Sequence, residues 1–175
     1  EEKLELSNWG SAVHYNTFFR MCFVKEKGIF LRMRTDETNL RRVCKKRDES
    51  IWEDSCMEFF FRANENDPRY FNFEFNPFGT MYISTRTSRT VFSFPEVDKR
   101  FFEVQSEVGP EEWSVMFSVP FDFIDREHGG HTKRMLGNFY KCGGEIRHHG
   151  MWQPVKVEKP DGEVLQAVLR YNIRY

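Results

Sequence analysis

The sequence has no surplus of charge of either sign. Its 26 basic and 27 acidic side chains cancel to a formal charge of -1 and are interspersed along the chain, so neither nucleic acid nor an anionic membrane is an expected partner. Cysteine is sparse. Cys22, Cys44, Cys56 and Cys142 are scattered with no CxxC pair and no metal-ligand spacing, which argues against a zinc site. Cys22 and Cys56 fall inside strand patterns and read as buried thiols. No apolar run approaches the ~18 residues of a membrane span, and the opening EEKLELSNWG has no signal-peptide core, which leaves the compartment open. There is no internal repeat and no low-complexity linker. The 175 residues are expected to form one domain, 1–175, large enough to bury roughly two thirds of the surface its unfolded chain exposes.

What the chain has in excess is flat side chains. Aromatics make up 17% of it, 19 of them phenylalanine, and such residues favour strands. The stretch 52–80 concentrates this signal. Phe71, Phe73 and Phe75 alternate with Asn72, Glu74 and Asn76, a period of two that puts the rings on one face and the polar groups on the other. Met57, Phe59 and Phe61 share one parity, Glu58, Phe60 and Arg62 the other. Between them Asn64–Pro68 supplies turn chemistry, so the stretch reads as a hairpin with one apolar face.

Short alternating runs recur along the rest of the chain. Phe18–Val24 and Ile29–Thr35 flank a Lys25–Gly28 turn in which Gly28 is the expected positive-φ residue; the second run leaves Arg32 and Arg34 on one face. Residues 39–50, with Arg41, Arg42, Lys45, Lys46 and Arg47, read as a solvated basic loop or short helix. A strand over 79–85 follows the Asn76–Gly79 turn. Further strands are expected at 101–108 and 113–119, with Trp113, Val115, Phe117 and Val119 on one face, at 135–142 and at 164–173. One helical turn is expected at 120–127, and 145–154 reads as a loop carrying Trp152. About nine or ten strands with little helix predict an all-β, antiparallel sandwich or jelly roll.

The residues Trp52 to Phe60 (WEDSCMEFF), the run Tyr70 to Asn76 with Gly79, the segment Gly137 to Gly143 (GNFYKCG) and Trp152-Gln153-Pro154 resemble the family 9 carbohydrate-binding modules, particularly their stand-alone, DOMON-related relatives. The resemblance spans roughly residues 18 to 160. It implies a non-catalytic β-sandwich that clamps the end of a polysaccharide, or a short oligosaccharide, between two tryptophans, and it favours a secreted or periplasmic setting. Trp52 and Trp152 match the clamp and Glu58 matches the carboxylate that accepts sugar hydroxyls. That chemistry is sound in itself, since a pyranose CH face lies flat on an indole and a carboxylate takes paired donors at short distance. Asn72, Glu74, Asn76, Arg32 and Arg34 are further ligand candidates because they face away from the rings. The resemblance departs beyond Pro154, where VKVEKPDG replaces a PheHis-containing tail, and at His149, which stands where a clamp-side amide is expected.

Each assignment has a structural rival. Trp52 could plug the end of the sandwich, Glu58 could be a solvated strand carboxylate or pair with an arginine, and the Asn72, Glu74, Asn76 row could simply face water. The module could be a degenerate scaffold with an interaction role. Glu58 and Glu74 on neighbouring strands raise a glycoside hydrolase, and His148, His149 and Met151 a haem ligand set. No cofactor is expected, apart from a structural calcium for which the Asn64–Asp67 turn has suitable oxygens.

Overall fold

The computed structural model describes residues 1–4, 13–154 and 167–170. Two antiparallel sheets face each other. The first has the order β1-β2-β3-β9-β8, built from β1 (Glu2–Leu4), β2 (Thr17–Val24), β3 (Gly28–Thr35), β9 (Trp113–Pro120) and β8 (Gln105–Val108). The second has the order β11-β10-β4-β5-β6-β7, built from β4 (Cys56–Arg62), β5 (Tyr70–Phe75), β6 (Met81–Arg86), β7 (Phe92–Ser93), β10 (Arg134–Gly143) and β11 (His148–Met151), with β12 (Ala167–Arg170) also paired to β10. The one α-helix among the described residues, α1 (Phe121–His128), closes one end. It is too short to cross a membrane. The expected all-β sandwich is the observed fold.

Alternation in the sequence decides what faces the core. In β4 and β5 the register pairs Met57 with Phe75, Phe59 with Phe73 and Phe61 with Phe71, and all six are fully buried. Opposite them, Leu31, Met33, Trp113, Val115, Phe117 and Val119 come from the first sheet. Rings meet across the gap at 3.7 Å between the centroids of Phe19 and Phe139 and at 4.3 Å between those of Phe75 and Phe117. Burying a phenylalanine contributes about 1.5–3 kcal/mol, so this interdigitated layer carries most of the stability.

At the far end of the core lies a polar knot. Lys141 points inward from β10 and meets Glu37 at 2.8 Å, the side chains being 2% and 1% exposed. Ser55 Oγ and Trp113 Nε1 donate to the same carboxylate. A second buried carboxylate, Asp54, accepts from the backbone N–H groups of Val43 and Cys44, from Arg41 and from the Asn76 amide. It gathers the 41–44 loop against the second sheet.

Several local expectations change. In the β2–β3 turn Gly28 has the expected positive φ, 153°, and a Cβ there would sit 2.3 Å from the Val119 carbonyl oxygen; Glu26, at φ 60°, is a second positive-φ residue of the same turn. Arg41 and Arg47 are not part of a solvated face: Arg41 pairs with Asp54, and Arg47 donates to the Pro95 and Val97 carbonyls. Residues 99–102 form a 3₁₀ turn, so β8 begins at Gln105. Residues 148–151 are an edge strand paired to β10; HHGM has no apolar alternation, and the pairing comes from the neighbouring backbone. Cys22 is exposed, whereas Cys56 is buried. In the Asn64–Asp67 turn, Asn64 Oδ1 accepts from the Asn66 N–H, and Asp67 is engaged by Arg69, which holds its pKa down to about 2. The expected 164–173 strand is described only over Ala167–Arg170.

His128 gives a stability prediction. Its ring stacks on Phe71 at 3.8 Å, neither ring nitrogen has a hydrogen-bond partner, and burial, with Arg69 nearby, pushes its pKa down to about 4. The unfolded chain therefore binds a proton near pH 6.5 that the folded chain refuses, and stability falls as pH drops from 6.5 towards 4. At pH 5 this amounts to ~2 kcal/mol. The variant His128→Phe is expected to keep the stack and flatten the acid limb of the urea-midpoint curve by about that amount; an unchanged acid limb would remove His128 as its cause.

Candidate functional site

The outer face of the second sheet carries a cleft of about 370 Å³. Strand parity builds its floor. Glu58 and Phe60 point outward from β4, Tyr70, Asn72 and Glu74 from β5, Tyr82 and Arg86 from β6, and Tyr140 and Cys142 from β10. Glu58 stands directly opposite Glu74. Trp52 forms one wall and, 39% exposed, keeps much of its surface open. His149 and Arg147 from the β10–β11 hairpin, with Arg89 and Phe92 beyond β6, complete the rim.

Trp52 is held by its short 3₁₀ turn, Ile51–Glu53, whose Ile51 is fully buried. The end of β10 nests beneath that turn. At Gly143, φ 70°, a Cβ would lie 1.9 Å from the Asp54 carbonyl oxygen and 2.7 Å from that of Trp52, so only glycine permits the approach. The indole then meets Tyr82 edge to face, centroids 5.6 Å apart. Arg86 braces the same wall: it donates to Ser84 Oγ, to the Arg89 carbonyl and to the Tyr82 hydroxyl at 2.5 Å, and its guanidinium lies 4.6 Å from the Phe92 ring centroid.

The polar floor is buried, not solvated. Glu58, Asn72 and Glu74 are 9%, 2% and 4% exposed. Asn72 donates to Glu74 Oε1 at 2.8 Å, while Glu74 Oε2, Asn72 Oδ1 and the Tyr70 hydroxyl have no partner within the protein. Burial, and then the Glu58 charge beside it, push the Glu74 carboxyl well above the usual carboxylate range. Burial also raises Glu58, against the Cys142 hydrogen bond and the Lys141 charge, which lower it. Two neighbouring buried carboxyls cannot both ionise cheaply, and Glu74 keeps its proton.

A sign follows for stability. An unfolded Glu74 ionises near pH 4.3 while the folded one stays protonated, so stability falls as pH rises above that value until the folded group also titrates. Glu74→Gln, which has the same shape without the proton, is expected to stabilise the protein between pH 6 and 8 and to flatten that slope in urea denaturation. A slope identical to that of the wild type would assign the titration elsewhere.

The sequence candidates divide sharply. Trp52, Glu58, Asn72 and Glu74 line the one cleft. Asn76 does not: fully buried, it donates to the Cys44 carbonyl and Asp54 and accepts from the Phe78 and Thr80 N–H groups, so its amide is used up holding the loop. Arg32 and Arg34 belong to β3 on the other sheet; Arg34 pairs with Glu1 and Glu112, which raise its pKa. Trp152 faces away from Trp52. It packs edge-on against Phe19 at 5.1 Å and Phe139 at 6.1 Å, on the core side of the second sheet, and borders a different hollow beside Arg20 and Arg32. His148 and His149 likewise diverge, since successive residues of a strand point to opposite faces; His148 is buried with its ring 4.7 Å from Tyr15.

Sequence reasoning missed Tyr82, Arg86, Tyr140 and Cys142 as cleft residues. The parity of Tyr82 and Arg86 along β6 was available as a signal, but which face of the sheet lay under the cleft was not.

The fold and the site together are those of an antiparallel β-sandwich with an aromatic wall and a buried carboxyl floor on one outer sheet face. The chain belongs to Carbohydrate-binding family 9, whose profile matches residues 2–168. A solved candidate carbohydrate-binding protein from Bacteroides uniformis is 26% identical, with a TM-score of 0.77 over 91% of this chain and 79% of that one. Two structures of a family 9 carbohydrate-binding module from Caldicellulosiruptor kristjanssonii, in complex with glucose and with cellotriose, share the fold at 9% identity. Their TM-scores are 0.59 and 0.60 over 86% of this chain and 72% and 71% of theirs. No curated protein matches the sequence.

Proposed function

We propose that the cleft binds a sugar residue of an oligosaccharide or a polysaccharide end, without catalysis. The observation that carries this reading is the floor itself: a carboxyl oxygen, an amide oxygen and a hydroxyl, Glu74 Oε2, Asn72 Oδ1 and Tyr70 Oη, buried without partners in the cleft walled by a part-exposed indole. Buried polar groups require hydrogen bonds, and sugar hydroxyls, which both donate and accept, meet a mixed set of ionised and protonated carboxyls. The pyranose CH face lies against Trp52, and Glu58 takes paired hydroxyl donors. Stacking comes from Trp52 alone, with Phe92 and Tyr82 beside it; Trp152 supports the core behind the sheet. The known ligands of the Caldicellulosiruptor modules, glucose and cellotriose, indicate the class of sugar to try first.

The placement of the carboxyls supports binding without hydrolysis. A glycosidase needs its two carboxyls flanking the scissile bond, whereas Glu58 and Glu74 stand side by side on one floor. A disaccharide has about 23 heavy atoms, and at ~0.3 kcal/mol per atom its best binding is ~7 kcal/mol, or roughly 10 μM. Calorimetric titration with glucose, cellobiose, cellotriose and xylobiose, followed by a wider glycan panel, is expected to show saturable heat for at least one sugar in this range and no release of reducing ends. A panel without any binding would leave the scaffold reading; release of reducing ends would make the protein an enzyme.

A further inference from the structure

Next to the carboxyl floor, the β4–β10 register sets Cys56 directly beside Cys142. Glu58, two residues along β4, points to the same face, and Cys142 Sγ lies 2.5 Å from Glu58 Oε1. One donor atom from each of the three side chains falls within 4.8 Å of the others, and all three residues are buried. Among the described residues no other group of three histidine, cysteine or acidic side chains converges in this way.

We propose that Cys56, Cys142 and Glu58 form a binding site for a thiophilic divalent cation, with zinc the ion the donors fit. A tetrahedral zinc site holds sulfur at ~2.3 Å and carboxylate oxygen at ~2.0–2.2 Å, which places its ligand atoms roughly 3.5–3.8 Å apart, within the spread of these three. Two thiolates select zinc over calcium or magnesium, which require all-oxygen shells. Because Glu58 and Cys142 both line the cleft, the fourth coordination position opens to it and is left for water or a ligand hydroxyl. The three donors are held by the β4–β10 ladder, whose last pair sets Cys56 opposite Cys142 and whose register sets Glu58 opposite Tyr140.

Without the ion both thiols hold their protons at neutral pH. Burial raises the Cys56 thiol; Cys142 is held down by the hydrogen bond to Cys56, but burial and Glu58 outweigh this and push it up to about 12. Metal binding therefore displaces two thiol protons, and the apparent affinity is expected to climb by up to ~100-fold per pH unit over the neutral range. A site made of carboxylates and histidines would show a far weaker dependence there.

This assignment does not rest on the sugar reading and is tested with no sugar present. The full chain, reduced and stripped of metal, is titrated with cobalt(II) and then zinc(II) at several pH values. One cobalt per chain with an intense thiolate-to-cobalt charge-transfer band, displaced by zinc, is the expected result. Cys56→Ser and Cys142→Ser should each lower zinc affinity at least ~100-fold and Glu58→Gln at least ~10-fold, while the joint change of Cys22 and Cys44 to Ser leaves it unchanged. Zinc should raise the melting temperature of the wild type and not that of Cys142→Ser, a comparison that holds even if the serine variants start less stable. Reduced wild type without the band, a Cys56–Cys142 disulfide that resists reduction, or a band that persists in both serine variants, overturns the proposal.

Discussion

Trp52→Ala is expected to weaken sugar binding by roughly 5- to 150-fold, while the melting temperature stays within a few degrees of the wild type. Trp152→Ala is expected to do the reverse. The two rings occupy opposite sides of the second sheet: Trp52 stands 39% exposed over the cleft and touches Tyr82, whereas Trp152 packs on Phe19 and Phe139. Removing an exposed indole forfeits stacking on a ligand, worth some 1–3 kcal/mol with the contacts it aligns, and little else. Removing a ring packed on the core costs ~3 kcal/mol of folding free energy. Calorimetry and urea denaturation on both variants decide the matter. If Trp152→Ala kept its stability and lost the sugar, the two-tryptophan clamp would be restored and the cleft reading withdrawn.

The largest effect on folding is expected at Lys141. Lys141→Met should destabilise by about 3–5 kcal/mol, because it strands Glu37 as a buried, uncompensated charge. The Lys141–Glu37 contact is fully enclosed at 2.8 Å, and the donors left to Glu37, Ser55 Oγ and Trp113 Nε1, are neutral. Adding Glu37→Gln to Lys141→Met removes the charge and is expected to recover most of the loss, since replacing a buried ion pair as a whole is often near neutral. Urea midpoints of the two singles and the double form the cycle. A double variant no better than Lys141→Met would show that the lysine acts through packing.

The Trp52 and Lys141 predictions act on opposite faces of the second sheet and remain separable. Lys141 points to the core, while its neighbours Tyr140 and Cys142 face the cleft. Strand β10 therefore carries stability on one parity and the candidate site on the other. That division also explains why a lysine can be fully buried in a sandwich core. Its partner arrives from the 36–50 loop, which Asp54 and Asn76 tie to the second sheet.

How much of this was legible in the chain depends on range. The parities of Met57, Phe59, Phe61 and Phe71, Phe73, Phe75 fixed which side of β4 and β5 faces the core, and so placed Glu58, Asn72 and Glu74 together on the other side. Gly79 at φ 66° and the buried Trp113–Val119 face were equally readable, because turn chemistry and the period of two are local properties of a strand. The sequence could not say that the polar face would be covered. Glu58 and Glu74 are buried in a cleft whose walls include Trp52, Tyr82 and Phe92 from other segments, and a row of Asn and Glu reads the same whether or not such walls surround it.

Three outcomes were settled only by tertiary structure, each through a register or a loop path that no local pattern encodes. Trp152 and His149 were read from a segment taken as a loop; its pairing to β10 turned one side chain to the core and the other to the cleft. Cys56 and Cys142, too far apart for any spacing rule, became neighbours because β4 and β10 pair in antiparallel register. Arg32 and Arg34 share the polar character of the floor but sit on β3, in the other sheet. Periodicity along one strand determines which way a side chain points; which side chains then meet is decided by the pairing of strands remote in sequence.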